Sequence, residues 1–149
     1  MSLSLISPAF AANTMIPIQY TCQGADISPA LLWQDAPAET KSYVLILDDP
    51  DAPSGDWVHW VVFNIPPTVQ RLADDAELPA GAINGKNSWG QTGYRGPCPP
   101  SGTHRYFFKL YALDMLLTLN ANATKQDVLA AMANHVLEQS ELMGLYRKQ

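Results

Sequence analysis

The sequence predicts a mostly β-structured protein, a two-sheet antiparallel β-sandwich with one or two peripheral helices. Short apolar runs recur along the chain, and 12 prolines and 9 glycines separate them. Only one late segment has apolar residues at helical spacing. Charged residues make up 15% of the chain, which argues against a long solvated helical surface. Many short strands with one helix are typical of a sandwich, and 149 residues suit a single domain over residues 1–149.

The first five predicted strands differ in their expected burial. Residues 2–6 and 16–20 form short runs that we expect at sheet edges, and residues 31–33 follow a proline turn. Residues 42–48 and 59–65 are rich in β-branched and aromatic side chains and contain little polarity. Such composition is typical of strands that are buried on both faces, so these two segments should lie at the centre of a sheet.

The longest predicted strand spans residues 104–114. Its alternation places four residues on one face (His104, Tyr106, Phe108 and Leu110) and four on the other (Arg105, Phe107, Lys109 and Tyr111). A last short strand is expected at residues 141–146, with Gly144 as a candidate bulge.

One helix is expected near the C-terminus. Thr124 is a good N-cap, and Asp127 three residues later completes a pattern like a capping box. An apolar stripe follows at helical spacing, formed by Val128, Leu129, Met132 and Val136. The stripe should face the core, and we place His135 on the same helix, at the surface or in packing.

The charge pattern disfavours two classes of partner. The net charge is −5, and the nine lysines and arginines are scattered. Duplex nucleic acid requires a basic stripe, and an anionic membrane surface attracts clustered basic residues. No apolar run approaches the ~18 residues that a membrane span needs, so we also expect no stable membrane insertion.

The N-terminal segment and the cysteines bear on the compartment. Ala9-Phe10-Ala11 looks like a signal-peptidase site, but no lysine or arginine precedes Lys41 and Pro8 interrupts the apolar run. We therefore interpret the segment as an edge strand and expect a cytoplasmic protein. Cys22 and Cys98 could form one disulfide, although two free thiols in a reducing compartment are the favoured interpretation.

Polar side chains interrupt the apolar pattern where the strand at 42–48 ends. Asp49 and Asp51 follow that strand, and His59 opens the next one after a loop with two prolines. A carboxylate at the end of one core strand and an imidazole at the start of the next can lie side by side. The alternative is that both aspartates only satisfy backbone groups of the turn.

A second segment, residues 93–106, repeats this arrangement. A stiff Gly/Pro loop leads into a strand that opens with His104, and Tyr106 shares its face. Glycine lets a ligand approach the backbone closely and frees N–H donors. A lone His104 could be only a strand-end histidine. Two of the three histidines stand at such junctions, however, and polar groups that converge at an apolar edge indicate one shared small-molecule pocket.

Both segments have recognisable motifs. The first reads DPDAP followed by HWVVFNIP, and the second reads YRGPCPP followed by HRYFFKLYALD. In combination they resemble the two signature regions of the phosphatidylethanolamine-binding protein family, in particular its small bacterial, Raf-kinase-inhibitor-like branch, also labelled YbhB/YbcL. SPAF, IPIQYTCQGADISPALLW and ELMGLY extend the resemblance over nearly the whole chain.

The resemblance implies a β-sandwich whose pocket accepts phosphate-like anions. It assigns no cofactor, no metal ligand and no role to Cys98. It also implies a homodimer that covers the open site, as in bacterial relatives. Matched position by position, the implied ligand-binding residues are Asp49, Asp51, His59, Gly96, Pro99, Pro100, His104 and Tyr106.

The leading functional hypothesis is the binding of a small anionic ligand, a phosphate or phosphoryl group. The imidazoles, the Tyr106 hydroxyl and loop N–H groups would be the donors. Asp49 and Asp51 oppose an anion directly, yet they should raise the pKa values of the histidines and favour imidazolium. We therefore expect an affinity on the order of micromolar to millimolar that weakens as pH rises.

Two alternatives remain open. A weak hydrolase would use the carboxylates and imidazoles as general acid and base, but Ser54, Ser101 and Cys98 lie outside any nucleophile motif such as GxSxG. An interaction protein would instead recognise a phosphorylated or acidic segment of a partner. The resemblance permits such a regulatory, kinase-inhibitor-like role.

Overall fold

The structure is a computed structural model that describes residues 2–149. It contains eight strands, one α-helix and one 3₁₀ turn at Ile18–Tyr20. The strands are β1 (Ser4–Ile6), β2 (Leu31–Gln34), β3 (Ser42–Asp49), β4 (Trp57–Ile65), β5 (Arg71–Leu72), β6 (Ile83–Asn84), β7 (His104–Leu113) and β8 (Val136–Tyr146), and the helix is α1 (Lys125–Met132).

The strands form two antiparallel sheets, which confirms the predicted fold class. The small sheet has the order β1-β2-β5, and the large sheet has the order β6-β4-β3-β7-β8. Within the large sheet, β3 pairs with β4 on one side and with β7 on the other. The strands predicted at 42–48, 59–65 and 104–114 are therefore the three central ones.

Both faces of the large sheet are covered. Leu45 and Leu47 of β3 point into the core between the two sheets, whereas Val44 and Ile46 point into a second core. This second core also contains Val128 of α1. Because β3 is buried along its whole length, its sequence is apolar without alternation.

Local predictions were wrong in two regions of the chain. Residues 16–20 form no strand: Ile18–Tyr20 is a 3₁₀ turn, and Pro17 before it has no N–H to give a sheet. The helix has the predicted capping box but ends at Met132, and the chain reverses through Asn134, whose φ is 69°. Val136 therefore begins β8, which is longer than the predicted strand at 141–146, and His135 lies outside the helix.

Gly144 forms no bulge. It pairs in register with Tyr106, and the irregularity between β7 and β8 lies at Ala112 and Leu113 instead. A Cβ at position 144 would overlap the side chains of Ile16 and Phe10, so glycine is present here because of close packing.

Cys22 and Cys98 are joined in a disulfide, which corrects the favoured interpretation of two free thiols. The two residues are 76 positions apart in the sequence. Next to the disulfide, the Cys22 N–H donates to the Pro97 carbonyl oxygen at 3.1 Å. Disulfides are rare in reducing compartments, so the cysteines no longer support the predicted cytoplasmic location.

Among residues 2–149, no helix is long and apolar enough to cross a lipid bilayer.

Candidate functional site

A cavity of about 270 Å³ opens at the end of the large sheet where β3 ends and β4 and β7 begin. The loop between β3 and β4 (residues 50–56) and the loop between β6 and β7 (residues 85–103) form its walls. The sequence segments predicted to share a pocket therefore do so. The lining residues are Asp49, Ala52, Pro53, Ser54, Trp57, His59, Trp89, Cys98, Pro99, Pro100 and His104.

A buried ion-pair geometry joins two of these residues. His104, the first residue of β7, places Nδ1 at 2.6 Å from Oδ2 of Asp49, the last residue of β3. Both residues are buried. A carboxylate oxygen accepts, so Nδ1–H is the donor, and Nε2 is the nitrogen left for a ligand. Asp49 Oδ1 also accepts from the Asp51 N–H at 2.8 Å. This oxygen therefore satisfies a backbone group of the turn, which was the alternative role considered for the aspartates.

His59 is buried in β4, and its surroundings differ from those of His104. Its Nδ1 lies 2.6 Å from the Arg95 carbonyl oxygen. Its ring makes T-shaped contacts with Trp89 and Tyr106, at centroid distances of 5.1 and 5.4 Å. Burial lowers the pKa of His59 below its ordinary value of 6.5, although the Arg95 carbonyl and the Asp49 carboxylate act in the opposite sense.

Asp49 acts on the pKa of His59 in the direction predicted from the sequence, but the net shift is downward. For His59, desolvation by the aromatic walls outweighs the attraction of Asp49. The ring therefore favours the uncharged form, and Nδ1–H must be the donor because a carbonyl only accepts.

Tyr106 lies behind the cavity rather than in its wall. The ring is buried, next to His59 and stacked on His104 at 6.4 Å between centroids. Within residues 2–149 its hydroxyl has no hydrogen-bond partner. Burial raises the pKa of Tyr106, and the negative charge of Asp49 raises it further, so the phenol stays protonated. The Tyr106 ring thus packs against both imidazoles, and its hydroxyl group is a donor without an acceptor among these residues.

Asp51 and Gly96 also lie outside the lining. Asp51 binds Arg105, with Oδ2 2.9 Å from Nε and Oδ1 2.8 Å from Nη2. These hydrogen bonds lower the pKa of Asp51 to about 2. The Gly96 N–H donates to Asp26 Oδ1 at 2.8 Å, and a Cβ here would overlap the Tyr20 carbonyl oxygen.

Of the eight predicted site residues, the cavity brings five together: Asp49, His59, Pro99, Pro100 and His104. Sequence reasoning missed the aromatic part of the wall. Trp57 precedes His59 by two residues and could have been found from the strand alternation. Trp89 lies in the β6–β7 loop without a local signal, and only the fold packs it against Trp57, at 5.4 Å between ring centroids.

The metal-ligating potential of the site is small. Residues 2–149 contain no group of three or more His, Cys, Asp or Glu side chains placed to hold a metal ion.

Comparisons with known proteins agree with this architecture. A family model described as phosphatidylethanolamine-binding protein matches residues 6–147. The chain belongs to the phosphatidylethanolamine-binding protein family. A UPF0098 protein of Methanothermobacter thermautotrophicus is 53% identical over 150 residues, which cover 98% of this chain and 99% of the relative. A UPF0098 protein of Chlamydia pneumoniae is 47% identical over 151 residues, again with 98% and 99% covered.

Solved structures of the phosphatidylethanolamine-binding protein family have the same fold as this member. A homologue from Chlamydia trachomatis superposes with a TM-score of 0.95 at 44% identity and covers 99% of both chains. Escherichia coli YbcL, described as a new member of the mammalian family, superposes with a TM-score of 0.94 at 31% identity and covers 100% of both chains.

Proposed function

We propose that the chain binds small phosphate-like anions or phosphoryl groups in this cavity. The observation that carries the proposal is the Asp49–His104 pair, which leaves His104 Nε2 at the wall of a cavity lined by the Gly/Pro loop. When the imidazole is protonated, Nε2–H is a charged donor with a fixed direction. The buried carboxylate supplies the counter-charge for this imidazolium.

The electrostatic balance of the cavity favours weak binding. Asp49 lies beside the proposed anion and offsets part of the attraction of the imidazolium. Arg105 does not compensate, because Asp51 binds its guanidinium at two nitrogens. The expected affinity is therefore on the order of micromolar to millimolar.

Calorimetry with inorganic phosphate at about pH 6 and about pH 8 tests the proposal, since histidine loses its proton over this range. We expect weaker binding at the higher pH and loss of binding in His104→Ala. His135→Ala is the matched control, since His135 pairs with Asp114 outside the cavity. Equal affinity at both pH values would contradict the role of His104.

A hydrolase is the second candidate, and one observation favours it. An imidazole that is oriented by a buried carboxylate is suited to act as a general base, and Ser54 lines the same cavity as His104. A panel of phosphoesters and acyl esters tests this function. Turnover that is lost in Asp49→Asn and retained in Asp51→Asn would support catalysis over binding alone.

A regulatory role would use the same site for a phosphorylated segment of a protein partner. We propose it on the basis of the family resemblance, as a kinase-inhibitor-like module. Capture of a partner that is competed by phosphate and lost in His104→Ala would distinguish it from metabolite binding. The homodimer and the cytoplasmic location stay predictions, which light scattering of the purified chain and cell fractionation test.

A further inference from the structure

The ring of His59 is fixed in one orientation. Its Nδ1 faces the Arg95 carbonyl oxygen at 2.6 Å, and this oxygen has no hydrogen to give. Trp89 and Tyr106 contact the ring with T-shaped geometry, which keeps water from its faces. His59 lines the cavity, and with Nδ1 on the Arg95 carbonyl oxygen, Nε2 is the ring nitrogen left for a ligand. In an uncharged ring with Nδ1–H, Nε2 is an acceptor.

The ring of His104 has the opposite character. Its Nδ1–H faces a carboxylate instead of a carbonyl, at the same distance of 2.6 Å. If the ring is protonated, Asp49 is its counter-charge and Nε2–H is a donor. A ligand in the cavity therefore meets two imidazoles: that of His104, whose Nδ1–H is paired with a carboxylate, and that of His59, whose Nδ1–H is paired only with a carbonyl.

We propose, on the basis of the binding function above, that the cavity selects oxyanions that carry one hydroxyl hydrogen. Hydrogen phosphate, the monoanions of phosphate monoesters and hydrogen phosphonates belong to this class. In such a complex His104 Nε2–H donates to a charged oxygen, and the P–OH group donates to His59 Nε2. His59 is then the specificity-determining residue.

Sulfate and sulfate esters lack this hydrogen. They would place an oxygen lone pair against the lone pair of His59 Nε2 and leave a buried acceptor unsatisfied. Discrimination between ligands of similar size often rests on such a mismatch rather than on attraction. Charge provides no alternative basis for selection, because a methyl sulfate and a methyl hydrogen phosphate have the same charge and nearly the same shape.

These two esters provide the test. At about pH 5.5, below the ~6 second pKa of a phosphate monoester, methyl phosphate is mainly the hydrogen-bearing monoanion. Calorimetry or NMR titration of the full chain should give methyl phosphate roughly tenfold tighter binding than methyl sulfate, as expected for one unsatisfied polar atom. Equal affinities overturn the selectivity and leave anion binding intact. Absence of binding for both esters overturns the proposed function and the selectivity together.

A variant assigns the selectivity to His59. In His59→Asn the amide N–H₂ can replace Nδ1–H as donor to the Arg95 carbonyl, but nothing replaces Nε2. We expect this variant to bind both esters equally, while His135→Asn keeps the preference for methyl phosphate. A preference that persists in His59→Asn overturns the assignment. If His59→Asn fails to fold, methylphosphonate and methanesulfonate repeat the comparison in the unmodified chain, and equal affinities again overturn the proposal.

Discussion

His59 and His104 follow proline- and glycine-rich loops and line one cavity, yet their Nδ1 atoms have different partners. His104 faces the Asp49 carboxylate, and His59 faces the Arg95 carbonyl oxygen. The carboxylate carries a full negative charge and the carbonyl only a dipole. The same residue type therefore has a carboxylate counter-charge in one case and only a carbonyl dipole in the other. The loop pattern alone does not distinguish the two imidazoles, whereas the partner at Nδ1 and the burial of the ring do.

The two histidines should also differ in how much stability they contribute. His104→Leu leaves the buried Asp49 carboxylate without its imidazole donor, and leaving a buried charge unpartnered costs about 3–5 kcal/mol. His59→Leu leaves only the Arg95 carbonyl unpaired, which costs about 1–3 kcal/mol. Denaturant unfolding at neutral pH measures both values. Equal losses would mean that the carboxylate depends on its imidazole no more than the carbonyl does, and the contrast between the histidines would disappear.

The disulfide holds the loop that supplies the partner of His59. Closing a loop of 76 positions restricts the unfolded chain and contributes about 4 kcal/mol as an upper value. Cys22→Ser/Cys98→Ser should lose up to that amount in the free energy of unfolding. Hydrogen bonds from Cys22 N–H to Pro97 and from Gly96 N–H to Asp26 still hold the loop. We therefore expect little change in phosphate affinity, and a large loss of affinity would show that the disulfide positions the cavity wall.

Mild acid should destabilise the protein through His59. Its pKa in the folded chain lies below the ordinary 6.5, so below about pH 6.5 the unfolded chain binds a proton that the folded chain does not. Stability then falls as pH falls, by at most about 1.4 kcal/mol per pH unit, and this loss is absent above that range. The measurement is denaturant unfolding from about pH 7 to about pH 5. His59→Asn should flatten the profile, and an unchanged slope would exclude His59 as its origin.

The Asp51–Arg105 pair should have the smallest effect. The pair is partly exposed, so Asp51→Asn should cost less than about 1 kcal/mol at neutral pH. The pKa of Asp51 is lowered from 3.8 to about 2, so its contribution is present above pH 3.8 and is lost as pH falls toward 2. Because Asp51 lies outside the cavity, phosphate affinity should not change. A changed phosphate affinity in calorimetry would show that Asp51 takes part in ligand binding.

The sequence predicted the positions at which strands enter the cavity better than the contacts around them. Asp49, His59 and His104 interrupt apolar strands, and such interruptions are local signals. The alternation along β7 also predicted the face on which Tyr106 lies. It did not predict that Tyr106 lies behind the two imidazoles, because that position depends on packing between strands.

Other features depend on segments that are distant in the chain. Trp89 reaches the cavity from the β6–β7 loop, and Cys22 meets Cys98 across 76 positions. The lowered pKa of His59 arises from burial among its aromatic neighbours, which outweighs the opposing effect of the Arg95 carbonyl. Residue spacing in the sequence does not predict contacts between segments that are so far apart in the chain. The end of α1 was missed for a related reason, because Val136 continues the helical period but belongs to β8.

NMR of the histidine ring nitrogens tests the central claim most directly, because the chain has only three histidines. Before ligand is added, His59 and His104 should each have a proton on Nδ1, because each Nδ1 faces an oxygen that only accepts. Titration with phosphate should then shift His104 Nε2 and His59 Nε2 saturably and leave His135 unchanged. A phosphate-induced shift that is equal for all three histidines, or absent from His104, would contradict the account.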